Sequence, residues 1–274
     1  MTLHMMCATR LAFPATDTMI QKMLASALIA GVVAGLFAAL LHFAFVQKFI
    51  LLGEEYETGA AVHFAGVAPQ TAADAHTHDA GDAEHTHETG AAPAHDHSAH
   101  EHGNAQGTFS RDAFTVLFAG LVYVAYALIM VAGFGLARIY GHVTTAREGL
   151  LWGVAGFAAF QLAPAMGLAP ELPGTIAADL GARQVWWWGT AAATGTGLAL
   201  LAYGRGALAV ALAAVLLAAP HAIGAPMLEG FSGVAPPEVS GAFAARVLGV
   251  GLTVWALMGW IAGFVWARDA DKVA

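Results

Sequence analysis

Apolar positions along this chain neither alternate nor recur once per helical turn; they run on without interruption. Six stretches of roughly the length that crosses a bilayer contain no Asp, Glu, Lys or Arg: 23–46, 113–137, 149–169, 185–203, 207–223 and 247–267. A hydrocarbon interior offers no water to exposed backbone amides, so runs of this kind read as spanning helices, in which every amide is bonded internally. The fold class this predicts is all-α: a polytopic transmembrane helix bundle. The stretches 185–203 and 207–223 are short and separated only by Gly204, Arg205 and Gly206. Read as a re-entrant pair or as one broken span, they lower the count from six spans to five.

Between the first and second stretches the pattern changes character. Residues 53–112 hold no long apolar run, and the chain therefore divides into a first transmembrane segment (19–52), an extramembrane loop (53–112), a transmembrane bundle (113–268) and a short tail (269–274). Residues 1–18 are only weakly hydrophobic, whereas Met19 leads directly into the first span, so 1–18 read as a non-native or disordered extension with Met19 as the start.

Positively charged residues are retained on the cytoplasmic side of a membrane. Six spans with the N-terminus inside put Arg10, Lys22, Arg138, Arg147, Arg205, Arg268 and Lys272 on the inner face, and Lys48, Arg111, Arg183 and Arg246 on the outer. That arrangement puts both termini in the cytoplasm and the long loop outside. The spans also carry the small-xxx-small pairs Gly31/Gly35, Gly149/Gly153 and Gly259/Gly263, which let helices approach closely in lipid and indicate packing, not chemistry.

Composition agrees: 58% of the 274 residues are hydrophobic, 11% are charged and the mean hydropathy is +0.64, which excludes an ordinary water-soluble domain. The net charge of −8 belongs to one region. No Lys or Arg lies between Lys48 and Arg111, while ten carboxylates do, so that segment carries −10 and the remainder of the chain +2. With a single cysteine, Cys7, neither an internal disulfide nor a cysteine metal site can form. The sequence lacks a Walker-type phosphate loop, G-x-S-x-G and H-E-x-x-H, so nothing supports an enzyme. The absence of Asp and Glu from the six stretches argues against a carboxylate proton relay.

The strongest chemical signal is AHTHDAGDAEHTHETGAAPAHDHSAHEHG. It holds four His-x-His pairs, His76/His78, His85/His87, His95/His97 and His100/His102, interleaved with Asp and Glu, and 8 of the chain's 13 histidines fall within these 27 positions. Neutral imidazole ligates first-row transition metals, and neighbouring carboxylates concentrate the cation. Gly, Ala, Pro and Thr fill the gaps, so the segment cannot bury enough apolar surface to offset its conformational entropy. Several weak, exchangeable sites are expected there, with no metal tightly bound.

Within the apolar stretches, His42 and His221 stand alone, and an ionisable group at membrane depth is a functional candidate. From Gln161 to Trp188 the chain is interrupted by Pro164, Pro170 and Pro173, which cannot continue a helix and free carbonyls close to Glu171 and Met166. His42, His221, Glu171, Met166 and Gln161 are therefore the candidate lining of an ion path. Trp186, Trp187 and Trp188 read as an interfacial aromatic belt.

The opening MIQKMLASALIAGVVAGLFAALLHF, the EEYE that follows, GLLWGVAGFAAFQLAPAMGLAPELPG, ARQVWWW and LAAPHAIGAP together resemble CbtA, a family of proposed cobalt transporter subunits. The resemblance implies a multi-pass bacterial inner-membrane (plasma-membrane) protein that imports cobalt for cobalamin biosynthesis beside a small membrane partner, CbtB, with its own histidine motif. It also implies five spans, and the loop histidines carry over only as a group. Read from residues and resemblance together, the outer His-rich loop captures a divalent transition metal, cobalt by the resemblance, and the lipid-embedded bundle conducts it, with neither a nucleotide nor a nucleic acid involved. A membrane-anchored metal-binding accessory or sensor, and a metal exporter, remain the alternatives. Because a flexible histidine and carboxylate loop holds copper and nickel at least as well as cobalt, selectivity must lie elsewhere.

Overall fold

A computed structural model of the chain describes residues 15–63, 104–230 and 233–270. All regular structure among them is helical, apart from one antiparallel bridge between Thr175 and Gly233. Helix α1 (Ala15–Leu41) passes through a π-helical turn, His42–Val46, into α2 (Gln47–Glu57). Helix α3 covers Asn104–Ile139. Helix α4 (Ala146–Phe157) meets a second π-helical turn, Ala158–Leu162, and ends in the short α5 (Ala163–Ala165). After a non-helical stretch come α6 (Leu180–Tyr203), α7 (Gly206–Ile223) and α8 (Pro237–Ala270).

Four of these are long and apolar enough to cross a membrane: Met19–Glu57, Gly107–Ile139, Gly206–Ile223 and Pro237–Arg268. At 1.5 Å per residue the 32-residue Pro237–Arg268 helix is ~48 Å long, well beyond a hydrocarbon layer of about 30 Å. It must therefore tilt or extend past the hydrocarbon. Helices also occupy the two remaining expected stretches, but these are weaker as spans. The run from α4 to α5 starts with Arg147 and Glu148 and contains Gln161 and Pro164, and α6 is diluted by three Trp and three Thr.

One expectation needs correction, and one alternative is decided. Helix α3 and the span within it begin well before residue 113, so Asp112 lies inside an apolar spanning helix, and the spans are not free of carboxylates. Residues 185–203 and 207–223 do not form one broken span. Gly204 and Arg205 reverse the chain, and α6 and α7 pack along each other as a hairpin, with Gly197 seated against Leu217 and Ala213. The His-rich run from His76 to His102 lies outside the described residues.

The bundle has small residues inside and large apolar residues outside. On α1 the positions Ser26, Ala27, Ala30 and Ala34 are fully buried, while Leu28, Leu36 and Leu40 on its other faces are about half exposed. Lipid tails solvate leucine as well as another helix would, so association is driven by close packing, and small side chains maximise it. The expected glycine pairs lie at these contacts. A Cβ at Gly149 would overlap the Gly259 carbonyl oxygen, and one at Gly259 would overlap that of Gly149, which locks α4 to α8; Gly35 likewise faces Gly120 across the α1–α3 contact. Helix α8 is central and contacts α1, α3 and α4. Trp255 and Met258 of α8 are buried together with Phe134 and Val131 of α3.

Candidate functional site

The π-helical turns place the two most informative polar groups. In each, the amide of the following residue reaches back five positions: Gln47 N–H donates to the His42 carbonyl, and Ala163 N–H to that of Ala158. Such one-residue insertions are rare, shift the side-chain register of the helix, and occur preferentially at functional sites. The second has a covalent cause. Pro164 has no N–H to offer the Phe160 carbonyl, so the helix N-terminal to it widens. No proline or glycine accompanies the first.

Both turns border one cavity of about 190 Å³ that is partly open to its surroundings. His42 lines it from the first turn, Gln161 from the second, Thr115 and Tyr123 from α3, and Gly251 from α8. The Gln161 carbonyl oxygen Oε1 is buried and accepts no hydrogen bond from any described residue. It lies in the notch that Gly251 leaves, where a Cβ would overlap it. The Thr115 hydroxyl donates to the Arg111 carbonyl at 3.0 Å, which leaves its oxygen lone pairs to the cavity. Asp112 is within electrostatic range of His42 and is held by Gln47, whose Nε2 donates to Oδ1 at 3.1 Å.

The cavity lies toward the end of the bundle where the chain leaves α2 and rejoins at α3. There Arg111 and Glu54 pair at 3.2 Å and hold the two helices side by side. An apolar seal adjoins it, formed by Val46, the buried Leu172 and Phe243, with Val247 and Val250 shared between seal and cavity. Leu172 comes from the proline-rich stretch after α5. That stretch is pinned by the Thr175–Gly233 bridge and by contact of Pro173 with Gly53, and Gly174 turns there with φ +77°.

The structure thus brings together two of the five candidate path residues, His42 and Gln161. Glu171 is engaged with Arg183, its Oε2 2.7 Å from Nη2. Met166 is 70% exposed. His221 is exposed on α7, its ring edge-on to Trp186. Trp186 is more than an interfacial anchor, because its Nε1 donates to the Pro220 carbonyl at 3.2 Å, and Trp187 packs against Phe160. Sequence reasoning missed Asp112, Thr115, Tyr123 and Gly251. Only Asp112 carried a signal, a carboxylate one residue before an apolar stretch.

Among the described residues, no three His, Cys, Asp or Glu side chains come close enough together to cage a metal. A second cavity of about 290 Å³ between α3, α4 and α6 is lined mostly by apolar and aromatic groups, with Trp152 Nε1 donating to the Tyr203 hydroxyl at 3.0 Å.

Compared with known proteins, residues 20–267 match the family model described as probable cobalt transporter subunit (CbtA). Neither a curated protein nor a solved structure matches the chain.

Proposed function

The chain belongs to the CbtA family of probable cobalt transporter subunits, and on that premise we propose that it is the ion-conducting membrane subunit of a divalent transition-metal uptake system with cobalt as cargo. The His-rich loop, with His76, His78, His85, His87, His95, His97, His100 and His102, captures the ion outside the cell. The bundle then conducts it inward, in the bacterial inner membrane, with six spans, both termini cytoplasmic, and a small CbtB-like membrane partner completing the system.

The observation that carries this reading is the partly open cavity lined by His42 and Gln161 at the loop end of the bundle. The chain leaves the described bundle after α2 and returns at α3, and the cavity is lined by α3 and by the π-helical turn that leads into α2. A cation arriving at this end of the bundle meets the Asp112 carboxylate close to His42. Such an arrangement raises the local ion concentration at the polar opening that the path requires.

Isotopic Co²⁺, Ni²⁺ and Zn²⁺ uptake into vesicles holding the chain, with and without its partner subunit, tests the reading. A variant lacking residues 72–103 should still take up Co²⁺ at saturating concentration, with a poorer apparent affinity. Complete loss of uptake in that variant would favour a binding or sensor module, and net efflux would favour export.

A further inference from the structure

We infer that the cavity between the two π-helical turns is a transit site for one partly dehydrated first-row divalent ion, with His42 imidazole nitrogen and Gln161 Oε1 as its defining ligands. This deepens the uptake reading and rests on it only for the role of the ion as cargo.

Pro164 accounts for the widening at Gln161, but neither proline nor glycine accounts for the one at His42, and the two turns border the same cavity. Each π turn holds one extra residue, and each sends a polar side chain to the shared space, His42 beside Val46 from the first and Gln161 from the second. Burying an amide oxygen without a donor costs free energy comparable to a lost hydrogen bond. Gln161 Oε1 is in that state among the described residues, so the site is satisfied when something electropositive occupies it. Gly251 is what allows the oxygen to be there.

The donor set fixes the class of ion. One imidazole with amide and hydroxyl oxygens suits Co²⁺, Ni²⁺ or Zn²⁺ better than Ca²⁺ or Mg²⁺, which prefer an all-oxygen shell, and better than Cu⁺, which prefers sulfur. Asp112, held by Gln47 and within electrostatic range of His42, adds one negative charge beside the cavity. A single negative charge leaves a divalent ion weakly held, as conduction requires. Thr115 and Tyr123 offer further oxygens from α3.

Gly251→Ala tests this with little risk to the fold. The added Cβ meets the far end of a flexible side chain, so Gln161 can swing away while the helices stay in place. The experiment uses the full chain with all eight loop histidines changed to Asn, purified in nanodiscs and titrated calorimetrically with Co²⁺. Electron spin-echo spectroscopy of the bound Co²⁺ reports nitrogen coordination. We expect one Co²⁺ per chain with a nitrogen ligand, affinity lowered about tenfold or more by Gly251→Ala and by Gln161→Leu, and loss of the nitrogen signal in His42→Phe. Leu121→Ala on the exposed face of α3 should change nothing, and thermal melting should place Gly251→Ala with the parent.

Unchanged affinity in Gly251→Ala and Gln161→Leu, or a nitrogen signal that survives His42→Phe, would overturn the site. Vesicle uptake separates this from failure of the transport reading. Uptake that persists at the parent rate in a Gly251→Ala chain that no longer binds Co²⁺ removes the site from the path. A parent chain that binds Co²⁺ but moves none overturns uptake and leaves the site standing.

Discussion

Glu171 shows how much a single contact bears on what a residue can offer. In the sequence it is a carboxylate between two prolines at the edge of an apolar run, the setting in which broken helices expose ion ligands. In the structure its carboxylate is occupied by Arg183, a pair exposed enough to be worth at most about 1 kcal/mol. Glu171→Gln should therefore leave Co²⁺ uptake within about twofold of the parent and the melting temperature nearly unchanged. A loss of transport comparable to that of a His42 variant would return Glu171 to the path. His42 was legible as a lone histidine in an apolar stretch, and Gln161 as a polar residue three positions before Pro164. Their meeting was not, because a π turn has no compositional signature of its own and the one at His42 occurs with no proline or glycine nearby. Gly251 could not be singled out among 32 glycines; its role lies in what a Cβ would displace.

At the scale of elements, the apolar stretches translated directly into helices because a bilayer leaves the backbone no alternative. What charge-free length could not convey was where each helix ends. Helix α3 continues through Arg111 and Asp112, since Gln47 and Glu54 of the neighbouring α2 provide partners for both side chains. The glycine pairs announced close packing without naming their partners. Gly149 and Gly153 of α4 meet Gly259 and Gly263 of α8 so closely that backbone touches backbone. Gly259→Val should force these helices apart and destabilise the protein by about 1–3 kcal/mol or more, seen as a fall in the melting temperature in detergent. Gly249→Val, where a Cβ would meet nothing within 4 Å, should be tolerated. Equal stability of the two variants would show that the α4–α8 seam does not hold the bundle.

For the whole molecule, membrane character was legible from composition alone, while sidedness rests on seven basic residues against four. Single cysteines introduced into a Cys7→Ser background test it. Ala60→Cys, just after α2, should react with a membrane-impermeant maleimide added to intact cells. Ala207→Cys, at the turn between α6 and α7, should react only after the membrane is opened. The reverse pattern would invert the topology and make the His-rich segment an inner rather than an outer collector. The hairpin of α6 and α7 stands to one side of the core. The best apolar window of α7 is only 11% buried, so most of that helix contacts lipid.

The position of α8 has a consequence for how the protein is made. It is the last helix of the bundle to leave the ribosome, yet it is the one on which α1, α3 and α4 all converge. Until it arrives, α1 and α3 can pair through Gly31 and Gly35, but the glycine face of α4 has no backbone to meet. The cavity of His42 and Gln161 is likewise incomplete, because its Gly251 wall does not yet exist. Translation at about 5–20 residues per second leaves α4 waiting several seconds in the membrane. During that interval the nascent chain is a set of helices whose α4 glycine face is still uncovered.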